Sequence, residues 1–368
     1  MNQKKHTTGV ILFTAAVFFI VTALAQSCVE DGKKRCHLDH FTRVDDISIL
    51  SGGDQLTFTG CGHKDFSECT IYRYDRKENI LYRYVHENKL MQVMGAQYWS
   101  DSKQFLFITV PKTQDRKQLI EDMQIVIMNP DGTGFKQLTE GKGVKAAMML
   151  SPDGKTLVYA SGRERTEGKT IASHFDFYAR DVPTGKETQM TNLAFYEIST
   201  PYFTPDGKNV VFDYGSPMRI PTINDTDAVQ NFRETYKEKY KGNFIIQYPV
   251  DGTGIGRLPE PLFTFGLGSE DSIMTKDGSI WFEGRAPGIQ YYRRYPDGKI
   301  IKFTYEQLGI SKTRDLFRMA VDRTGQFMAI LYEDLDRNRT RSVAIFDTST
   351  KNRIPISVPA TATNISIH

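Results

Sequence analysis

Four cysteines stand in two pairs of equal spacing, Cys28/Cys36 and Cys61/Cys69, and none follows in the rest of the chain. Two chemistries fit such thiols. With His37, His40 and His63 close by they could ligate a metal. The spacings match no common zinc pattern, however, and Cys36-His37 lacks the second cysteine that haem attachment requires. Oxidation in pairs is the better reading. An even count argues for disulfides, and local pairing, Cys28–Cys36 and Cys61–Cys69, is favoured because the second pair flanks one loop between two strand-like runs. Other constellations are scarce. No G-x-S-x-G elbow, H-E-x-x-H pair or Walker-type glycine loop occurs, so hydrolase and nucleotide chemistry lack their usual geometry. Asp334, Asp336 and Asn338 open like a calcium loop, but Arg339 occupies the position that needs glycine. His174, alone in the middle of the chain, starts a strand and reads as structural. The expectation is no metal, no cofactor and no catalytic residue.

Charge and the first residues bound the setting. The 47 basic and 44 acidic residues leave a formal net charge of +3, and no basic stripe marks a nucleic-acid partner. Hydrophobic residues at 39% suffice for a sizeable core. Lys4, Lys5 and His6, the apolar run Val10 to Leu24 and the small-x-small Ala23-Leu24-Ala25 read as a signal peptide over residues 1–25. The protein is therefore expected to be exported, periplasmic or secreted, which agrees with the disulfides. An uncleaved leader is the alternative, and the one route to membrane contact.

The elements that must position any chemistry emerge from self-similarity. MMLSPDGKTLVYA (148–160), PYFTPDGKNVVFDY (201–214) and SIMTKDGSIWFEG (272–284) each read as strand, tight polar turn, strand. Weaker copies cover 49–60, 98–109 and 319–332. A second half-motif alternates with the first: IVIMNPDGTGFKQLT (125–139), FYARDVPTGKETQMT (177–191), FIIQYPVDGTGIGRL (244–258) and YYRRYPDGKIIKFT (291–304), with weaker copies at 71–84 and 344–357. The Asp-Gly chemistry suits hairpins. Six copies of each half make six four-stranded antiparallel units, repeating about every 50 residues, the signature of a β-propeller blade. The expected fold is all-β, a six-bladed propeller over 45–357, preceded by a segment at 26–44 and followed by a tail strand at 358–368. Because ATNISIH (362–368) resembles the opening of an inner strand, a seventh blade completed by the N-terminal segment is the rival.

The alternation of strand-SPDGK-strand with strand-PDGTG-strand-Leu-Thr resembles the TolB-type propeller repeat of exported bacterial proteins. Ser151 to Lys155, Thr204 to Lys208 and Asn129 to Gly134 carry it most strongly. The resemblance implies a propeller in the cell envelope. It lacks the α/β domain that TolB carries ahead of its propeller.

One interval between repeats is longer than the others and marks an insertion at 215–242. Val229, Phe232, Tyr236 and Tyr240 fall on one helical stripe there, which predicts a short helix. Such a helix either binds a partner, through Phe232 and Tyr236, or packs on the propeller edge. Elsewhere the short Asp-Gly turns make one face uniform. The remaining connections vary and emerge on the opposite face, where function on a repeat scaffold concentrates. Counting back from the turns at Ser51, Ser100, Ser151, Thr204, Thr275 and Asp322 places Asp45 and Asp46, Lys145, Ser199 and Thr200, Glu270 and Asp271, and Arg318 at the channel mouth, with Met94, Gly95 and Ala96 in blade two. The partner-binding set is thus Asp46, Lys145, Glu270, Asp271, Arg318, Phe232 and Tyr236. The expected function is non-enzymatic binding of a protein or peptide partner, its basic group steered by an acidic funnel. The alternative is a lyase or hydrolase with its site at the same mouth.

Overall fold

The computed structural model describes the chain except for residues 1–28, 31–32, 35, 38–40, 42, 51, 62–68, 100–103, 163–174, 196–197, 215–243, 256, 258–261, 263–268, 285–289, 311–313, 335–339, 360 and 368. The predicted helix at 228–240, with Phe232 and Tyr236, lies outside the described residues, and so do Cys28 and the leader. Among the described residues no helix is long and apolar enough to cross a membrane.

Six antiparallel sheets follow one another in chain order, each leading from an inner strand outward. Blade one comprises Arg43–Ile49, Gln55–Cys61, Thr70–Asp75 and Ile80–His86. Blade two comprises Met91–Tyr98, Phe105–Pro111, Gln124–Met128 and Lys136–Gln137, and blade three Val144–Leu150, Thr156–Gly162, Phe175–Asp181 and Glu187–Gln189. Blade four has three described strands, Tyr202–Phe203, Asn209–Tyr214 and Phe244–Pro249. Blade five comprises Ser269–Met274, Ile280–Gly284, Gln290–Arg294 and Ile300–Phe303. Blade six comprises Arg314–Val321, Phe327–Asp334, Thr340–Asp347 and Asn352–Ile354.

A single blade has apolar side chains on both faces and must bury both. The core is accordingly divided into clusters that each straddle one seam. Blades one and two share Tyr84, Val93 and Phe105; two and three share Leu106, Ile125 and Tyr159; three and four share Phe177, Phe195 and Phe212. Blades four and five meet through Val211, Ile245 and Phe282, and five and six through Trp281, Phe303 and Phe346. Leu56 and Phe58 of blade one then pack with Leu331 and Ile345 of blade six, which closes the ring.

The chain ends reinforce that closure. The strand Ala362–Ile367 does not open a seventh blade. It runs parallel to Ile80–His86 as a fifth, outermost strand of blade one, with Ile367 buried at the seam with blade two. Its apolar residues fit that edge, whereas an inner strand would need a further sheet to pair with. The N-terminal Cys36–His37 pairs with Val343 and Ser342 on blade six.

The turns explain why the repeat reads as it does. Between the first two strands of blades three and four, Ser151 and Thr204 donate hydroxyl hydrogen bonds of 2.6 Å to Asp153 and Asp206. Each carboxylate accepts the amide of the residue two further on. Blade six reverses the pair: Thr324 donates to Asp322 at 2.7 Å, and Asp322 also accepts the amide of Phe327. The chemistry persists although the residues are exchanged, which is why that copy looked degenerate.

Candidate functional site at the channel mouth

Every inner strand enters from the variable face and ends at the Asp-Gly turn, so its first half surrounds the channel mouth. The turn closes on the amides of Leu50, Trp99, Ser151, Thr204, Thr275 and Asp322. In blades one and two this is one residue earlier than the Ser51 and Ser100 from which the sequence count began. Four residues before these anchors stand Asp46, Gly95, Ala147, Thr200, Asp271 and Arg318.

Pairing with the second strand breaks at this level in five blades. The register shifts between Asp45 and Ser48, Met94 and Gln97, Ala146 and Met148, Glu270 and Ile273, and Leu316 and Arg318. Each break is a β-bulge, a device that bends a strand and re-aims its side chains, often beside functional sites. Three of the six residues take positive φ: Asp46 (54°), Gly95 (70°) and Ala147 (44°). Glycine adopts this region freely, whereas aspartate and alanine are held there against a local preference.

Neighbouring blades hold the bulges in place. The Gly95 amide donates to Thr59 Oγ1 of blade one at 2.8 Å, and the Ser272 amide donates to Asp213 Oδ2 of blade four at 2.7 Å. Thr59 and Asp213 occupy the same position on their second strands, four residues after Gln55 and Asn209, which close the two turns. Tyr98 N donates to Ser48 Oγ at 3.0 Å across the first seam. On the far side of the mouth, Gln97 Nε2 of blade two donates to Thr200 Oγ1 of blade four at 3.0 Å, passing the small Ala147 of blade three. The Gln97 side-chain oxygen, Oε1, is buried without a hydrogen-bond partner among the described residues.

Charged residue types are unevenly distributed around the mouth. Blades five, six and one are consecutive in the ring and carry Glu270 and Asp271, Arg318, and Asp45 and Asp46 at or beside the bulges. Blades two, three and four carry Gly95, Ala147 and Thr200 at the same level. Four acidic positions and one arginine position thus fall at this level on three consecutive blades.

No family model matches this chain, and no curated protein sequence matches it either. Solved structures do. TolB from Acinetobacter baumannii superposes with a TM-score of 0.53 at 15% identity, over 93% of this chain and 67% of that one. The tricorn protease gives 0.53 at 14% identity, over 87% of this chain and 26% of that one. An oligogalacturonate lyase in complex with manganese gives 0.50 at 12% identity, over 88% and 78%. The likeness is one of fold. The six-bladed propeller is shared with TolB and with propeller domains of a protease and a lyase.

Of the residues singled out in the sequence, Asp46, Asp271 and Arg318 fall at one level of the channel, with Glu270 beside Asp271. Asp46 is half-buried and Arg318 exposed. Lys145 is placed differently. It is 2% exposed, and its Nζ donates to the carbonyl of Gly141 at 2.9 Å and of Gly143 at 3.3 Å, fastening the connection that enters blade three. Cys61 and Cys69 form a disulfide that ties the second and third strands of blade one. The Cys28–Cys36 pairing lies outside the described residues. Among the described residues no group of three or more His, Cys, Asp or Glu side chains is placed to hold a metal ion. Gln97 and Ala147 escaped the sequence reading, since neither type signals a channel position.

Proposed function

We propose that the protein is an exported, non-enzymatic propeller that binds a basic segment of a protein or peptide partner at its channel mouth. The observation that carries this reading is the set of acidic positions, Asp45 and Asp46 on blade one and Glu270 and Asp271 on blade five, that flank blade six at the bulged level of the inner strands. Carboxylates gathered at the rim of a low-dielectric cleft focus potential outward and raise the encounter rate of a cationic partner. Asp46 adds support. A non-glycine residue kept at positive φ beside a channel is the kind of local strain that function retains. The resemblance to TolB-type repeats favours an envelope setting, and the leader-like first residues favour export.

The test is site-directed photo-crosslinking in the native envelope. A photoreactive residue replacing Arg318 at the mouth should capture a discrete protein or peptide. The same residue replacing Lys208, on the Asp-Gly face, should capture none. Capture from Lys208 alone, or from neither position, would refute the reading.

A further inference from the structure

Where the outer strand of blade five meets blade six lies a cavity of about 310 Å³. That is at the lower end of small-molecule sites, which run from ~300 to ~1,000 Å³. Its lining is apolar, with Phe303, Leu308, Met328 and Phe346 all buried at the seam. Two lysines, Lys302 and Lys351, stand at its edge, and among the described residues neither ammonium makes an ion pair or hydrogen bond. The carboxylate at the same edge, Asp347, is committed to its own turn: it accepts the amide and hydroxyl of Ser349 at 2.9 and 2.6 Å and the amide of Thr350 at 3.3 Å. The cavity is therefore apolar inside, and its lip carries two lysines against one carboxylate that is engaged in its own turn.

Lys351 is also an anomaly in its own turn. It follows the turn aspartate by four residues and has φ of 57°. The same place holds Gly185 in blade three (φ 72°) and Asn79 in blade one (φ 55°). Glycine and asparagine enter the left-handed region readily, whereas lysine does so at a steric cost. The turn itself would be better served by glycine, so the lysine needs another reason to be there, and its unpaired ammonium beside an apolar cavity supplies one.

We infer that this seam is a binding site for a small apolar carboxylate, its hydrocarbon body in the cavity and its charge at the Lys302/Lys351 lip. The site is separate from the channel mouth and does not depend on the function proposed there. Phenylbutyrate is a suitable probe, with uncharged phenylbutyramide as comparator, titrated calorimetrically against the full chain. The acid should bind about tenfold more tightly than the amide, the factor expected when one modest charge interaction is lost. Lys351→Gly should weaken the acid by a similar factor while leaving Tm no lower, because glycine suits the backbone. Lys302→Gln, on an exposed strand, should weaken it too. No binding of the acid, equal affinity for acid and amide, unchanged affinity in Lys351→Gly, or a lowered Tm in that variant would each overturn the proposal.

Discussion

Six turn carboxylates, Asp131, Asp153, Asp181, Asp206, Asp251 and Asp347, sit below the usual carboxylate range, chiefly because a neighbouring Ser or Thr hydroxyl donates to each. Their folded-state pKa is depressed, so the stability they contribute is full above the ordinary carboxylate value, ~3.9. It is lost as pH falls through the folded values. Tm followed by circular dichroism should be flat from neutral pH down to about pH 5 and fall below about pH 4. A Tm that rises on acidification would contradict the assignment. Asp131, Asp153 and Asp206 were legible in the sequence because turn chemistry is local: their Pro-Asp-Gly turns specify their own hydrogen bonds. Lys351 was not legible, because its oddity appears only when its turn is superposed on those of Gly185 and Asn79.

At the scale of elements, what shapes the mouth is the bulge in five of the inner strands and, at Gly95 and Ser272, the anchor that the preceding blade lends to it. Thr59 is the cleanest case, a buried hydroxyl that accepts the Gly95 amide. Thr59→Val keeps the volume and removes the acceptor, leaving that amide unsatisfied. A loss of roughly 1–3 kcal/mol is expected, read by denaturant unfolding. No change in stability would mean the bulge holds itself. The blade count and the strand order could be read from the alternating motifs, whereas the bulges could not. An added residue breaks strand periodicity without leaving a composition signal, except at Gly95. For the same reason counting from Ser51 and Ser100 ran one residue late, since the first two turns close on Leu50 and Trp99. The positions of Asp46, Asp271 and Arg318 along the inner strands were nevertheless readable, because charge is conspicuous where an inner strand should be apolar. Lys145 stands out in the same way, yet its ammonium is engaged inside the protein.

At the scale of the molecule, the ring is closed by apolar seams and sealed by both described ends of the chain. The C-terminal strand contributes Ile367, fully buried, and its Ser366 carbonyl lies so near Gly132 of blade two that a Cβ there would meet it at 2.6 Å. Ending the chain after Ala360 should cost about 2 kcal/mol from Ile367 alone, seen as a Tm lower by several degrees. An unchanged Tm would show that the fifth strand only decorates blade one. The tail's role was hidden in the sequence, because an apolar alternating run suits an inner strand and an outer edge equally, and only the sheet available to pair with it decides.

The same closed ring sets blades five, six and one side by side, and the proposed partner binding depends on the acidic positions they carry. The direct measurement is fluorescence anisotropy of a labelled oligolysine peptide against the full chain and the triple variant Asp46→Asn, Glu270→Gln, Asp271→Asn, over a range of salt concentrations. The parent should bind with affinity that falls as salt screens these positions, over a Debye length of ~10 Å at 0.1 M. The triple variant should bind about tenfold more weakly with a flatter salt dependence. Equal affinity and equal salt slope in the two proteins would contradict these acidic positions as the binding site.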